Sequence, residues 1–138
     1  MRQLITSLQL DDRVVFAGQA SPEAVASEMR RSALIVVPSR RESFSSVTIE
    51  ALASGTPVIA TRCGGPEYLI GPEMGTLVPI EDPAALASAI ADMLARRHAI
   101  DRDRLRAHAV DQFGMAESRL RLKKLYERAL SDETPAEG

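Results

Sequence analysis

Two kinds of hydrophobic pattern alternate along this chain. Periodic apolar positions predict helices, beginning with the first ten residues and continuing at 22–31, 47–54, 82 onward, 102–111 and 116–130. Between them, short apolar runs near glycine or proline predict strands at 13–17, 33–37, 57–60 and 75–79. Strands that alternate with helices favour an α/β class: a Rossmann-like parallel sheet flanked by helices. The boundaries predict one partial domain over 1–130, followed by a disordered tail over 131–138.

Composition and charge narrow the function classes. A net charge of −2 over 138 residues provides no basic face for nucleic acid. No apolar run reaches the ~18 residues that a membrane-spanning helix needs, and the first ten residues do not resemble a secretory signal. A single cysteine, Cys63, has no internal disulfide partner and is typical of a reducing compartment. These features favour a cytoplasmic protein; a place at the membrane surface stays open if the chain is part of a larger protein.

Residues 38–50, with the sequence PSRRESFSSVTIE, carry the candidate chemistry. Pro38 ends a predicted buried strand, and ligands of open α/β sheets bind outside the carboxyl ends of the strands. The following helix begins near Ser45 and Ser46, where free backbone N–H groups favour phosphate. Glu42 and Glu50 flank this helix start, and carboxylates are suited to neutral hydroxyl groups rather than to phosphate. A diphosphate with hydroxyl-bearing groups on both sides describes a nucleotide sugar.

At this point the chain resembles a known family. The spacing E-x7-E from Glu42 to Glu50 is similar to that of family 4 (group 1) retaining glycosyltransferases of the GT-B architecture. Three further segments match in the same order: V-x-F-x-G at 14–18, EALASGTPVIA at 50–60 and CGGPE at 63–67. The resemblance is strong over 13–79 and weaker to 130. It implies the C-terminal, donor-binding half of a GT-B fold, truncated at its start.

The resemblance implies a role for each matching residue. Glu42 matches the glutamate that contacts the donor sugar and is credited with a catalytic part, and Glu50 matches the one that binds the ribose. Gly18 and Gln19 match the loop beside the nucleotide base. The segment whose backbone amides hold the diphosphate is matched by Phe44, Ser45, Ser46 and Val47. The implied reaction transfers a hexose with retention from a UDP- or GDP-linked sugar to a glycan or lipid acceptor, with no cofactor and no obligatory metal.

The chain also departs from the family. Ser45 stands where the family usually has glycine, and serine would be strained there if the backbone needs a positive φ. The family's glycine-rich loop, its Arg/Lys pair and its acceptor domain precede the matched region, so the isolated chain is expected to be inactive. Arg40 and Arg41 are alternative phosphate ligands, although an exposed arginine pair is more often simply solvated.

The missing first strands raise a question of pairing. In a 3-2-1-4-5-6 sheet, two strands would separate segment 13–17 from segment 33–37. We expect either direct pairing of these two segments or a gap filled by another chain, for instance in a homodimer, because open sheet edges promote aggregation.

Several features have simpler explanations. Gly64-Gly65 is read equally well as a turn or as a point of ligand approach, and Glu67 as the cap of the next segment. Asp101-Arg-Asp103 imitates a metal-binding motif but is better explained as an N-cap and a first-turn acid. Two other functions remain open, namely a non-catalytic nucleotide- or partner-binding module and, more weakly, a sugar-nucleotide epimerase.

Overall fold

The computed structural model describes residues 1–132, which form seven α-helices, one 3₁₀ turn and three strands. In chain order the elements are α1 Arg2–Ser7, α2 Pro22–Arg31, β1 Ile35–Val37, α3 Ser46–Ala53, β2 Val58–Thr61, α4 Gly65–Leu69, β3 Gly75–Val78, α5 Pro83–Ala95, the 3₁₀ turn Arg97–Ala99, α6 Arg102–Phe113 and α7 Met115–Asp132.

The strands form one parallel sheet in the order β1-β2-β3. Ile35 of β1 lies opposite Val58 of β2, which in turn lies opposite Gly75 of β3. All four residues of β2 are buried, as expected of a central strand covered on both faces. The predicted parallel sheet and three of its four predicted strands are confirmed.

Helices cover both faces of this sheet, and the alternation of side chains along β2 shows how. Val58 and Ala60 belong to a core cluster that also contains Leu52 of α3 and Leu105 of α6. Ile59, which points the other way, lies in a second cluster with residues of α5. The sheet therefore has α2, α3 and α6 on one side and α5 on the other, which confirms the flanked α/β architecture.

The strand predicted at 13–17 is wrong. This segment pairs with no strand in the described part of the chain, and Val15 is 88% exposed while Phe16 is 47% exposed. Apolar residues with β propensity form a strand only when a neighbouring strand satisfies their backbone, and β1 has β2 as its sole neighbour among residues 1–132. Direct pairing of 13–17 with β1 is thus also wrong, whereas a gap filled by another chain stays a prediction.

Helix ends agree closely with their sequence signals. Ser21, Asp82 and Asp101 accept hydrogen bonds from backbone N–H groups three residues on, at 3.3, 2.9 and 2.9 Å, as N-caps do. The short helix α4 was not predicted. Helix α7 extends through Ser131 and Asp132, beyond the predicted helix end at 130, and the rest of the predicted tail, 133–138, lies outside the described residues. No helix within 1–132 is both long and apolar enough to cross a membrane.

Candidate functional site

The predicted site lies where all three strands end, at the carboxyl edge of the sheet. There the Thr61 hydroxyl, 5% exposed at the end of β2, donates to the Ser39 carbonyl and lies 3.4 Å from the Val37 carbonyl. The end of β1 is therefore tied to the end of β2 through a buried side chain. This tie fixes the point from which the loop carrying Glu42 departs.

Glu42 is half-buried, and its backbone is held from both sides by the loop after β2. Its N–H donates to the Cys63 carbonyl at 3.2 Å, and its own carbonyl accepts from the N–H of Gly65. These two bonds form a parallel bridge between Glu42 and Gly64. The main chain at Glu42 is therefore positioned by the protein itself.

Gly64 and Gly65 allow this close approach. A Cβ on Gly64 would lie 2.7 Å from the Glu42 carbonyl oxygen, and one on Gly65 would lie 2.7 Å from backbone atoms of Phe44. Gly64 also has φ 114°, in the region that favours glycine. The glycine pair thus makes room for protein backbone, a use that the sequence did not indicate. The expected cap by Glu67 is confirmed, since its carboxylate accepts from the Gly64 N–H at 3.3 Å.

Ser45 has the positive φ that would strain a serine. It is the N-cap of α3 with φ 66° and ψ 67°, in the left-handed region. Its side chain is 3% exposed and makes no cap hydrogen bond, because its hydroxyl pairs instead with the buried hydroxyl of Thr48 at 2.8 Å. Backbone strain at this position is therefore accompanied by a buried hydrogen bond.

The start of α3 is open to a ligand. Because the Ser45 side chain makes no cap hydrogen bond, the backbone N–H groups of Ser46 and Val47 have no acceptor within residues 1–132. Both side chains are exposed. Unpaired N–H groups and the helix dipole give this end a partial positive charge, which suits an anionic oxygen.

Glu50 lies one turn inside α3, is exposed, and borders a cleft of about 580 Å³ between α2 and α3. Ala20 and Pro22 line the same cleft. Gly18 and Gln19 lie just before Ala20 in the chain but do not line the cleft. Gly18 has φ 71°, in the left-handed region. Glu50 thus shares a cleft with Ala20, the residue that follows the predicted base-binding loop, but not with Gly18 and Gln19 themselves.

Phe44 is supported by a residue that sequence reasoning missed. Its ring, which is 56% exposed, meets that of Phe113 edge to face, with centroids 6.4 Å apart and planes at 83°. Phe113 ends α6, four residues after the buried Ala109 and eight after the buried Leu105. That helical spacing is the signal that could have placed Phe113 on the inner face.

The two arginines of the loop differ in their surroundings. Arg40 makes an ion pair with Glu81 at 2.8 Å, and both side chains are largely exposed. Arg41 is exposed and has no ion-pair partner among residues 1–132. To bind phosphate, Arg40 would have to leave Glu81, so its alternative role as a phosphate ligand stays a prediction.

Comparisons with known proteins identify the family of the chain. Residues 1–96 match the family model for group 1 glycosyl transferases. D-inositol 3-phosphate glycosyltransferases are similar in sequence: that of Corynebacterium efficiens is 37% identical over 96% of this chain and 32% of its own length, and that of Mycolicibacterium smegmatis is 37% identical over 94% and 30%. The chain therefore spans about a third of the length of these curated relatives.

Solved structures show the same relationship. Sucrose-phosphate synthase from Thermosynechococcus elongatus superposes with a TM-score of 0.84 at 36% identity, covering 96% of this chain and 34% of that one. HepE of Anabaena in complex with UDP-glucose gives a TM-score of 0.79 at 26% identity, covering 91% and 35%. The fold is part of the GT-B architecture, and the chain belongs to the group 1 glycosyl transferases.

Proposed function

We propose that this chain is the nucleotide-sugar donor-binding domain of a retaining glycosyltransferase. Joined to the remainder of such an enzyme, it would present a UDP- or GDP-linked hexose for transfer to a glycan or lipid acceptor. In isolation it would bind the donor without transferring the sugar, because the acceptor side belongs to the part of the family that this chain does not span.

One observation supports the proposal above the others: the uncapped start of α3 lies between two glutamates. The free N–H groups of Ser46 and Val47 suit a diphosphate. Glu50, on the cleft beside Ala20, suits the ribose hydroxyls, since a carboxylate accepts two hydrogen bonds. Such a site would bind the phosphate groups of a ligand at the start of α3 and its hydroxyl groups at the carboxylates.

Glu42 is proposed as the residue at the sugar. Its main chain is fixed at the edge of the sheet by Cys63 and Gly65, so the carboxylate departs from a defined point beside the phosphate site. A carboxylate there can accept from sugar hydroxyls and stabilise positive charge that develops on an oxocarbenium-like transition state. Retention of configuration and a direct catalytic part for Glu42 come from the family resemblance.

The choice of nucleotide and acceptor rests on relatives. HepE of Anabaena is known in complex with UDP and with UDP-glucose, which favours a uridine diphosphate donor here. The sequence predicts a glycan or lipid acceptor. The names of the similar D-inositol 3-phosphate glycosyltransferases add a small phosphorylated polyol as an acceptor to be tested.

Donor binding is tested by calorimetric titration of the purified chain with UDP, UDP-glucose and GDP-mannose. We expect saturable binding that Glu50→Gln weakens about tenfold, because the amide keeps the shape but loses one charged acceptor for the ribose. Glu127→Gln, on the exposed surface of α7, is the matched control and should leave affinity unchanged. A folded chain that binds none of the three ligands would refute donor binding and leave a partner-binding module.

Transfer is tested in a chimera. The chain replaces the corresponding third of the Corynebacterium efficiens relative, and product formation is followed with inositol phosphate, lipid and glycan acceptors. We expect transfer with retention, seen in the anomeric proton signal of the product, and a loss of turnover in Glu42→Gln that exceeds its loss of donor affinity. A chimera that binds donor as the chain does, yet forms no product, would favour the non-catalytic module.

A further inference from the structure

A second cavity lies at the opposite, amino edge of the sheet. It measures about 360 Å³ and is enclosed by the residues before β3, the 3₁₀ segment and the first turns of α6. The donor site lies at the carboxyl edge, and none of its predicted residues lines this cavity. Its volume falls at the lower end of the ~300–1,000 Å³ typical of small-molecule sites.

Part of the wall of this cavity is apolar. Leu105, 4% exposed, belongs to the main core cluster, and the half-buried Met74 and Ile100 pack against that cluster. All three also line the cavity. A ligand that enters would therefore place an apolar group against the edge of the hydrophobic core, where contact with water is lost.

The acidic groups of the cavity are already engaged. Glu73 makes a 2.6 Å ion pair with Arg104, and the Asp101 carboxylate accepts the backbone N–H of Arg104 as the cap of α6. Each carboxylate thus already has a partner within the chain. This arrangement leaves the basic groups to determine the charge of a ligand.

Two donors at the mouth are uncommitted. Arg96 has only a long contact, 3.4 Å, with the Thr76 hydroxyl, and within residues 1–132 no carboxylate lies within ion-pair distance of it. His108 is half-buried and makes no side-chain hydrogen bond or ion pair in the described part of the chain. A guanidinium and an imidazole that face the same small cavity favour a carboxylate or a phosphate.

We propose that this cavity binds a small amphipathic anion. Its apolar body lies on Met74, Ile100 and Leu105, and its carboxylate or phosphate accepts hydrogen bonds from Arg96 and His108. The site shares no residue with the proposed donor site, so the two ligands bind independently of each other. The inference does not depend on glycosyl transfer.

The two histidines of the chain make a direct test available by NMR. The full chain, saturated with UDP, is titrated with phenylacetate and with phenyl phosphate while the Cε1–H signals of His98 and His108 are followed. His98 lies in the 3₁₀ turn and does not line the cavity, so it serves as the internal reference, assigned with His98→Gln. We expect a saturable shift of His108 alone, with Kd in about the millimolar range.

Neutral and purely ionic compounds separate the two parts of the ligand. Benzyl alcohol, which has no charge, and inorganic phosphate, which has no apolar body, should each bind at least about fivefold more weakly than the amphipathic anions. Whichever of phenylacetate and phenyl phosphate binds more tightly identifies the head group. Equal binding of benzyl alcohol would overturn the anionic assignment.

Matched arginine variants complete the test. Arg96→Gln should weaken binding about fivefold or more, whereas Arg97→Gln should not, since the Arg97 guanidinium donates to the Leu94 carbonyl and does not line the cavity. Both side chains are exposed, and circular dichroism confirms that the variants fold. The proposal is overturned if His108 does not shift, if both histidines shift alike, or if the two variants bind equally well.

Discussion

Replacing Ser45 by glycine tests how the start of α3 is held. Ser45 has φ 66°, which glycine adopts without steric cost. The same substitution removes the hydroxyl that pairs with Thr48 at 2.8 Å. Two effects of opposite sign therefore act at one residue, and a double-mutant cycle separates them.

The two effects are of similar size. A left-handed conformation costs a non-glycine residue roughly 1–2 kcal/mol, and the greater freedom of glycine in the unfolded chain offsets part of the relief, leaving a net gain of about 1 kcal/mol. A hydrogen bond between neutral groups contributes about 1 kcal/mol, and both hydroxyls here are buried, at 3% and 0% exposure. Ser45→Gly alone should thus change the free energy of unfolding by less than about 1 kcal/mol.

The hydrogen bond is removed beforehand in Thr48→Val, which keeps the shape of the side chain. In that background Ser45→Gly should raise the free energy of unfolding by at least about 1 kcal/mol, since it relieves the left-handed backbone and also removes a buried hydroxyl that has lost its partner. Glu81→Gly is a control. Glu81 has φ 57°, and within residues 1–132 its exposed side chain makes only the ion pair with Arg40, so the substitution should also be stabilising.

Urea denaturation followed by circular dichroism measures all four members of the cycle. The m-values should agree, which shows that the unfolded states are comparable. The reasoning is refuted if Ser45→Gly fails to stabilise the Thr48→Val protein. It is also refuted if Ser45→Gly stabilises the unaltered chain by the same amount, because the buried hydroxyl pair would then contribute nothing.

Three other substitutions probe the contacts around the site. Gly65→Ala places a methyl group 2.7 Å from the Phe44 backbone and should weaken UDP-glucose binding about tenfold and destabilise the fold by about 1–3 kcal/mol, whereas Gly71→Ala, with its nearest atom at 3.4 Å, should do neither. Arg102→Lys loses a guanidinium that bonds three oxygens and should lower the free energy of unfolding by about 2 kcal/mol with donor affinity unchanged; equal stability in urea would contradict this. Phe113→Leu removes the edge-to-face contact and should cost about 1 kcal/mol and a few-fold in UDP-glucose affinity by calorimetry, and unchanged affinity would show that Phe44 needs no such support.

Local sequence signals correctly predicted the buried strands and the capped helix starts. Segments 33–37 and 57–60 are continuous apolar runs, and they contain β1 and most of β2, which pair over Ile35–Val37 and Val58–Ala60. Ser21 and Asp82 precede proline and cap their helices as expected. For the two caps the decisive hydrogen bond lies within three residues of the chain, where spacing alone is informative.

Features that depend on distant partners were missed or misread. Segment 13–17 has strand propensity but finds no strand to pair with among residues 1–132, so it stays outside the sheet. Gly65 matches a family motif, yet its close approach to Phe44 joins residues 21 apart in the chain. The ring of Phe113 meets Phe44 across an even longer separation. The periodicity of a single segment does not encode such contacts, since they depend on how separate segments lie next to each other at the carboxyl edge of the sheet.

The contacts that hold the proposed donor site all lie within the described residues. Thr61 joins two strand ends, Cys63 and Gly65 hold the main chain of Glu42, and Ser45 leaves the start of α3 uncapped. None of these interactions requires the two thirds of the relatives' length that this chain does not span. Because a site formed before binding loses less conformational entropy when the ligand arrives, the isolated chain should retain part of the donor affinity. An increase in donor affinity on joining the remaining domain would then measure the contacts which that domain makes with the donor, rather than an ordering of this chain.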